Sequence, residues 1–431
     1  MAKLKIENFG PITNVEFELK KFNVFIGQQG TGKSCILKIA AFCKWLEKVY
    51  STSEVFDYMR KDTSDKDFIK KNLLDFYKLN DFVQGESKIS YFSEFVELCV
   101  DFKYDDAKIM VKQFSFLQSS TLFRRVAYIP AERCLASAIP NLMSLRISQN
   151  TNIYKYLVDW EDAHKTYSVD KKMVVFKTHT SFYYDENLNA DFLSVQKSDG
   201  EKNIRFENAA SGFQSVIPIC VLVNYYLKRD ISLSIGEKRR IEKLTELSKL
   251  GINTPKVQEL FAELYEKESE KLQNKGKDLS IFLLLSDMKS LLDINANKNL
   301  HCSLFIEEPE ANIFPETQYE LVKWLVSTVN NGNENSIFIA THSPYILSSF
   351  NNLIQAENSV LSSSEKRSEI NDIMQTEDFV NFDEIGVYEV KDGCINDIKD
   401  YDLHIINSNG IDSVSDIIQE QFSKLLDYEN D

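Results

Sequence analysis

An α/β protein built on a mixed, partly parallel sheet is what the sequence predicts, and three stretches predict it. The apolar strand Phe22–Ile26 passes through a glycine-rich turn straight into residues 34–49, where Ile36, Ile39, Ala40, Cys43 and Leu46 recur at helical spacing. Strands at 303–306 and 336–340 flank a helix near 317–329, the strand-helix-strand alternation of a parallel sheet. Ahead of both, residues 4–6 and 15–19 alternate apolar and polar around Gly10-Pro11, an antiparallel hairpin.

The remaining elements follow in chain order. Residues 50–95 read as helical and charged; strands at 100–104 and 108–112 flank Asp105-Asp106, and 125–129 is a strand ending at Pro130. A second hairpin pairs 191–196 with 202–207 around Asp199-Gly200. Residues 212–227 form a mostly apolar helix, with Pro218 near its first turns or as a kink. The Lys/Glu-rich stretch 228–300 is an inserted helical subdomain, too short for a long coiled-coil arm, so the head itself comprises 1–227 and 301–431. Residues 362–378 are polar and read as a loop. A hairpin at Asp392-Gly393 and a helix at 413–426 finish the chain.

The chain has 431 residues, 43% hydrophobic and 27% charged, with 8 Pro and 14 Gly, which excludes a disordered or low-complexity polymer. Its formal charge of -15 opposes a general polyanion-coating role and leaves room for a local basic patch. Arg124, Arg125, Arg133 and Arg146 and the run Lys238-Arg239-Arg240 are the candidates for DNA contact; Arg133 is equally suited to ordering the site beside an acid. The longest near-apolar stretch, 216–227, is too short to cross a bilayer, and the amino end lacks an apolar targeting core, so a cytoplasmic protein without membrane attachment is expected. Cys35, Cys43, Cys99, Cys134, Cys220, Cys302 and Cys394 form no C-x-x-C pair and are expected to be buried thiols.

Gly27-Gln28-Gln29-Gly30-Thr31-Gly32-Lys33-Ser34 fits G-x-x-x-x-G-K-[ST] and lies between an apolar strand and a helix, the context in which that motif cradles phosphates. Backbone N–H groups there face the nucleotide, Lys33 reaches the β and γ phosphates, and Ser34 ligates Mg2+; the lining runs on to Cys35. The apolar strand that ends in Glu307-Glu308-Pro309-Glu310 supplies an acid pair, Glu307 for the metal and Glu308 for the attacking water. Strand 336–340 leads to Thr341-His342-Ser343-Pro344, where His342 can meet the γ-phosphate or the water. Ser211-Gly212-Phe213-Gln214-Ser215 opens a helix, and its unpaired N–H groups and hydroxyl suit a γ-phosphate offered from outside.

In this order, the segments resemble the ABC-type ATPase heads of the RecF, SMC and OLD-like families across most of the chain. Lys5-Ile-Glu-Asn-Phe-Gly-Pro-Ile is similar to their opening strand and turn, Ser211-Gly-Phe-Gln-Ser to their signature loop, Glu307-Glu308-Pro-Glu to their Walker B acids and Thr341-His342-Ser-Pro to their switch. The resemblance implies a P-loop NTPase of ABC type and an ATP hydrolase. It also implies a homodimer or higher homo-oligomer, with ATP and Mg2+ sandwiched so that Ser211, Gly212 and Gln214 face the other subunit's nucleotide. By the same resemblance the chain is the ATPase or sensor of an anti-phage defence module that controls a separate nuclease or toxin; a RecF-like repair clamp on DNA is the alternative. Three departures stand out. Glu307 replaces the usual Asp, Tyr128-Ile-Pro130-Ala-Glu132-Arg133 stands where a glutamine loop is usual, and no TOPRIM nuclease opening follows His342; Asp400-Tyr401-Asp402 reads as surface charge.

Overall fold

The computed structural model describes residues 2–51, 64–103, 106–113, 123–138, 148–176, 178–198, 200–227, 300–332, 335–407 and 418–425. The chain folds as α/β around an eleven-stranded mixed sheet. Its parallel part is β14 (Ile385–Lys391), β3 (Phe22–Ile26), β13 (Ser336–Thr341), β12 (Leu300–Glu307) and β7 (Phe123–Ile129), adjacent in that order. Its antiparallel part is β2 (Ile12–Leu19), β1 (Ala2–Phe9), β4 (Val83–Phe92), β5 (Val96–Lys103) and β6 (Asp106–Gln113). They meet at β15 (Cys394–Asp397), which pairs with β14 and touches β2 through Cys394 and Asn14. A separate small sheet carries β8 (Met173–Val174), β9 (Thr180–Asp185), β10 (Ala190–Lys197) and β11 (Gly200–Arg205).

The central strands are apolar because both faces are covered: every residue of β3 and β13 is buried. Alternate side chains divide between two cores. Val24, Ile26, Leu304, Ile306, Ile337 and Ile339 join the side covered by helices Ser211–Leu227, Pro315–Asn330 and Pro344–Ser362. Phe25, Phe305, Phe338 and Ala340 join the side covered by α1 (Lys33–Ser51) and the antiparallel lobe, where the Phe305 and Phe338 rings stack at 4.4 Å. The Ser211–Leu227 helix is buried continuously from Ser215 to Val223 and runs on through Pro218.

Two sequence expectations fail. Residues 83–92, expected to be helical, form β4: Ser87, Ile89 and Tyr91 point inward while Glu86 and Lys88 face outward, a period of two that their charge disguises. Residues 362–378, expected to be a loop, contain the end of the Pro344–Ser362 helix and a further helix, Arg367–Ile373, which buries no residue and so offers no apolar stripe to read. Among the thiols, Cys35, Cys43, Cys220 and Cys302 are buried, but Cys394 is exposed because it opens β15 just after the 392–393 turn. Asp400 uses its carboxylate locally, accepting the Asp402 and Leu403 N–H groups. The inserted stretch 228–300, apart from Leu300 at the start of β12, lies outside the described residues, as do Asp105, Arg146, the run at 238–240 and the first part of the terminal helix; residues 418–425 of that helix are helical.

Candidate functional site

The parallel strands deliver the predicted residues to one edge, since β3, β12 and β13 all end there in register: Ile26 pairs with Thr341, and Ala340 with Glu307. Ligands of α/β sheets bind beyond these carboxyl ends. Gly27 follows β3, and α1 begins at Lys33, so the loop hands its free N–H groups to the helix start; Ile36 N–H makes the bond to Gly32 O at 2.9 Å. Gly30 and Gly32 have φ of +78° and +108°, values that L side chains rarely adopt, and the space around Gly30 is open to 4 Å, which leaves room for a phosphate. Gln28, Gln29 and Gly30 are exposed, Gly27, Thr31, Gly32 and Ser34 are half-buried, and Thr31 Oγ1 closes the loop on Gln28 O at 2.9 Å.

A Cβ at Gly27 would press into the backbone carbonyl oxygen of Val390, which cannot swing aside. Gly27→Ala is therefore expected to lower stability by about 1–3 kcal/mol and weaken nucleotide binding at least tenfold, as read by thermal melting and fluorescent-nucleotide titration. Normal melting with normal binding would count against this packing.

Lys33 is buried; its Nζ donates to Gly27 O at 2.8 Å and Gln28 O at 2.7 Å. Burial pulls its pKa down to about 8, opposed by the nearby Glu308 and Glu310. The His342 ring stands between the lysine and the second acid: Nδ1 lies 3.4 Å from Lys33 Nζ and Nε2 lies 3.5 Å from Glu308 Oε1. With an ammonium on one side and a carboxylate on the other, the ring is placed for Nδ1 to accept and Nε2 to donate. The cysteine of the motif differs from its neighbours. Its thiol is buried and pushed up to about 12 by desolvation, so Cys35 has only its backbone N–H to offer a phosphate.

Glu307 is also buried. Tyr128 Oη donates to its Oε1 at 2.5 Å, Ala131 N–H to its Oε2 at 3.2 Å, and Lys38 Nζ stands 3.9 Å from Oε1. Lys38 lies one helical turn beyond Ser34, so the Ser34 face of α1 is the face turned to Glu307. Among the described residues no group of three or more His, Cys, Asp or Glu is arranged to hold a metal; Ser34 and Glu307 are the residues here that could serve one beside a phosphate.

Glu308 has φ of +44°, left-handed for a non-glycine residue. It is held there by its N–H on Ala340 O at 2.7 Å and by Arg133 on its carbonyl at 2.6 Å. Glu310 Oε1 accepts His342 N–H at 2.6 Å, stitching the acid segment to the switch, while Glu310 Oε2 is buried without a hydrogen-bond partner among the described residues.

Ser211 is exposed at the start of its helix, and a Cβ on Gly212 would come within 3.0 Å of Asn312 O, so the helix start rests closely on the loop that follows the acids. Gln214 is otherwise engaged, its amide donating to Glu207 O at 2.9 Å and Phe206 O at 3.3 Å. The basic candidates for DNA contact thin out: Arg133 is fully buried, and half-buried Arg125 donates to Tyr226 O at 3.1 Å. At the glutamine-loop position, Glu132 is exposed while Ala131 N–H and Arg133 face the acids. The sequence motifs give no role to Tyr128 or Glu310, though both lie inside quoted segments, and leave out Lys38 altogether. Tyr128 and Lys38 had visible signals, a tyrosine in the strand before Pro130 and a lysine one turn past Ser34.

Residues 278–347 match an AAA ATPase domain family. The match covers well under half of the chain; it includes Glu307, Glu308 and His342, and supports an ATP-hydrolysing P-loop protein at the level of the family. Comparison with curated proteins finds no match. Solved structures similar to the chain include an SMC head bound to the C-terminal winged-helix domain of ScpA, with 10% identity, a TM-score of 0.35, and coverage of 80% of this chain and 90% of that one. The SMC head of Thermotoga maritima follows at 8%, 0.32, 80% and 90%, and the recombination mediator RecF at 9%, 0.32, 92% and 97%. Likenesses this loose assign no activity. Among the described residues no helix is long and apolar enough to cross a membrane.

Proposed function

We propose that the protein is an ATP-binding and ATP-hydrolysing switch that closes as a dimer around two nucleotides. The observation that carries the reading is the line Lys33, His342, Glu308, three side chains brought by three strand ends within 3.5 Å of one another in succession. Mg2+, when bound, supplies charge neutralisation at the phosphates. Lys33 offers its ammonium to the β and γ phosphates in exchange for the carbonyls of Gly27 and Gln28. Ser34 and Glu307 would hold the metal, Glu307 being oriented by Tyr128 and Ala131 N–H. Glu308 takes the proton of the attacking water, and His342 orients both Glu308 and the water. Ser211, exposed at a helix start, and half-buried Gly212 beside it bind the nucleotide held by the other subunit. A separate effector controlled by this cycle, as in the anti-phage modules the chain resembles, is the biological setting we propose.

Tyr128→Phe tests the metal assignment. Removing the hydroxyl from Glu307 is expected to raise the Mg2+ concentration for half-maximal hydrolysis by about 3- to 10-fold, with nucleotide binding in the absence of metal unchanged. An unaltered Mg2+ dependence would remove Glu307 from the metal.

A further inference from the structure

Arg133 is fully buried, and among the described residues its hydrogen bonds end on carbonyls and one hydroxyl. Nε donates to Ser215 O at 2.9 Å; Nη2 donates to Ser215 Oγ at 2.9 Å and Glu308 O at 2.6 Å; Nη1 donates to Glu307 O at 2.8 Å and Pro130 O at 3.5 Å. Its own carbonyl is fixed by Tyr156 Oη at 2.6 Å. A buried guanidinium is costly to desolvate, and a core of this size could fill the space with an apolar side chain. What the arginine provides is a rigid fork that grips three chain segments at once: the residue after β7, the end of β12, and the second turn of the Ser211–Leu227 helix. The Glu308 carbonyl it holds belongs to a residue in a left-handed conformation. Ser215 lies one turn beyond Ser211, so a displacement of the helix start reaches Ser215 through a single helical turn.

We propose that Arg133 is a positioning residue that holds the backbone of Glu308 and couples it to the Ser211-Gly212 end of the helix, so that contact made by that end sets the aim of the acid. The proposal rests on the ATPase reading above and adds to it a route of control from the helix start to the water-activating carboxylate. Neither Arg133 nor Ser215 touches the nucleotide in this scheme; both act through Glu308.

Two substitutions test it. Arg133→Lys keeps the charge and loses the fork, and Ser215→Ala removes one acceptor with no change of charge, so it folds even where Arg133→Lys does not. The wild type, both variants and the double variant are compared for kcat and KM with MgATP and for Kd of a non-hydrolysable ATP analogue. The expected result is a kcat lower by about tenfold or more for Arg133→Lys and about 3- to 10-fold for Ser215→Ala, with KM and Kd within about twofold. The double variant is expected to be no slower than Arg133→Lys, because both changes cut one link. Unchanged kcat, parallel loss of binding and rate, or additive losses would overturn the proposal. A wild-type protein that binds the analogue but does not hydrolyse ATP would overturn the ATPase reading, whereas an active wild type whose variants keep its kcat would overturn this proposal alone.

Discussion

Glu308→Gln is expected to lower ATP hydrolysis by at least about 100-fold while leaving nucleotide affinity within about threefold, the range spanned by loss of a general base. The glutamine keeps the length of the side chain and the neighbourhood of the His342 ring, now 3.5 Å from the carboxylate, but it cannot take a proton from water. Because the backbone of Glu308 is held by Ala340 O and Arg133, the substituted side chain starts from the same left-handed residue, and the change is confined to charge. Steady-state hydrolysis and equilibrium nucleotide binding, measured on the same preparation, separate the two effects. A rate near that of the wild type would move the base away from Glu308.

Ser211→Arg is expected to leave each protomer able to bind nucleotide and to abolish ATP-dependent association, with turnover reduced about tenfold or more. Ser211 is exposed, so the longer side chain meets no core atom and the fold is retained. Gly212 beside it packs closely on the loop after the acids, where a Cβ would come within 3.0 Å of Asn312 O, so a bulky neighbour at 211 stands at the rim of that contact. Association measured against nucleotide concentration is the readout. Association with wild-type midpoint would show that this helix start takes no part in closure.

That these residues would meet in one candidate site is legible in the sequence because they sit at strand ends whose apolar runs announce them. The strand expected over Phe22–Ile26 has those bounds, and Glu307 ends and His342 follows short, continuous apolar runs. The errors have physical causes. In β4 the outward charges Glu86 and Lys88 outweigh a three-residue inward face, and Arg367–Ile373 is a helix that buries nothing. The sequence leaves Arg133 open between nucleic-acid contact and site order, because a basic residue reads as surface until its acceptors are known, and those acceptors include backbone carbonyls from segments 82 and 174 residues away. Gln214 lay within the signature stretch, but its amide is taken by the turn before the helix, a contact that no motif encodes.

The most direct measurement is the solution mass of the Glu308→Gln protein with and without ATP and Mg2+, by light scattering in one run, beside the Glu308→Gln, Ser211→Arg double variant. The expected result is a mass near 49.8 kDa without nucleotide, about twice that with ATP and Mg2+, and no rise in the double variant. A mass that stays at 49.8 kDa with nucleotide bound, or a rise that persists in the double variant, would contradict closure around two nucleotides through the Ser211 helix start.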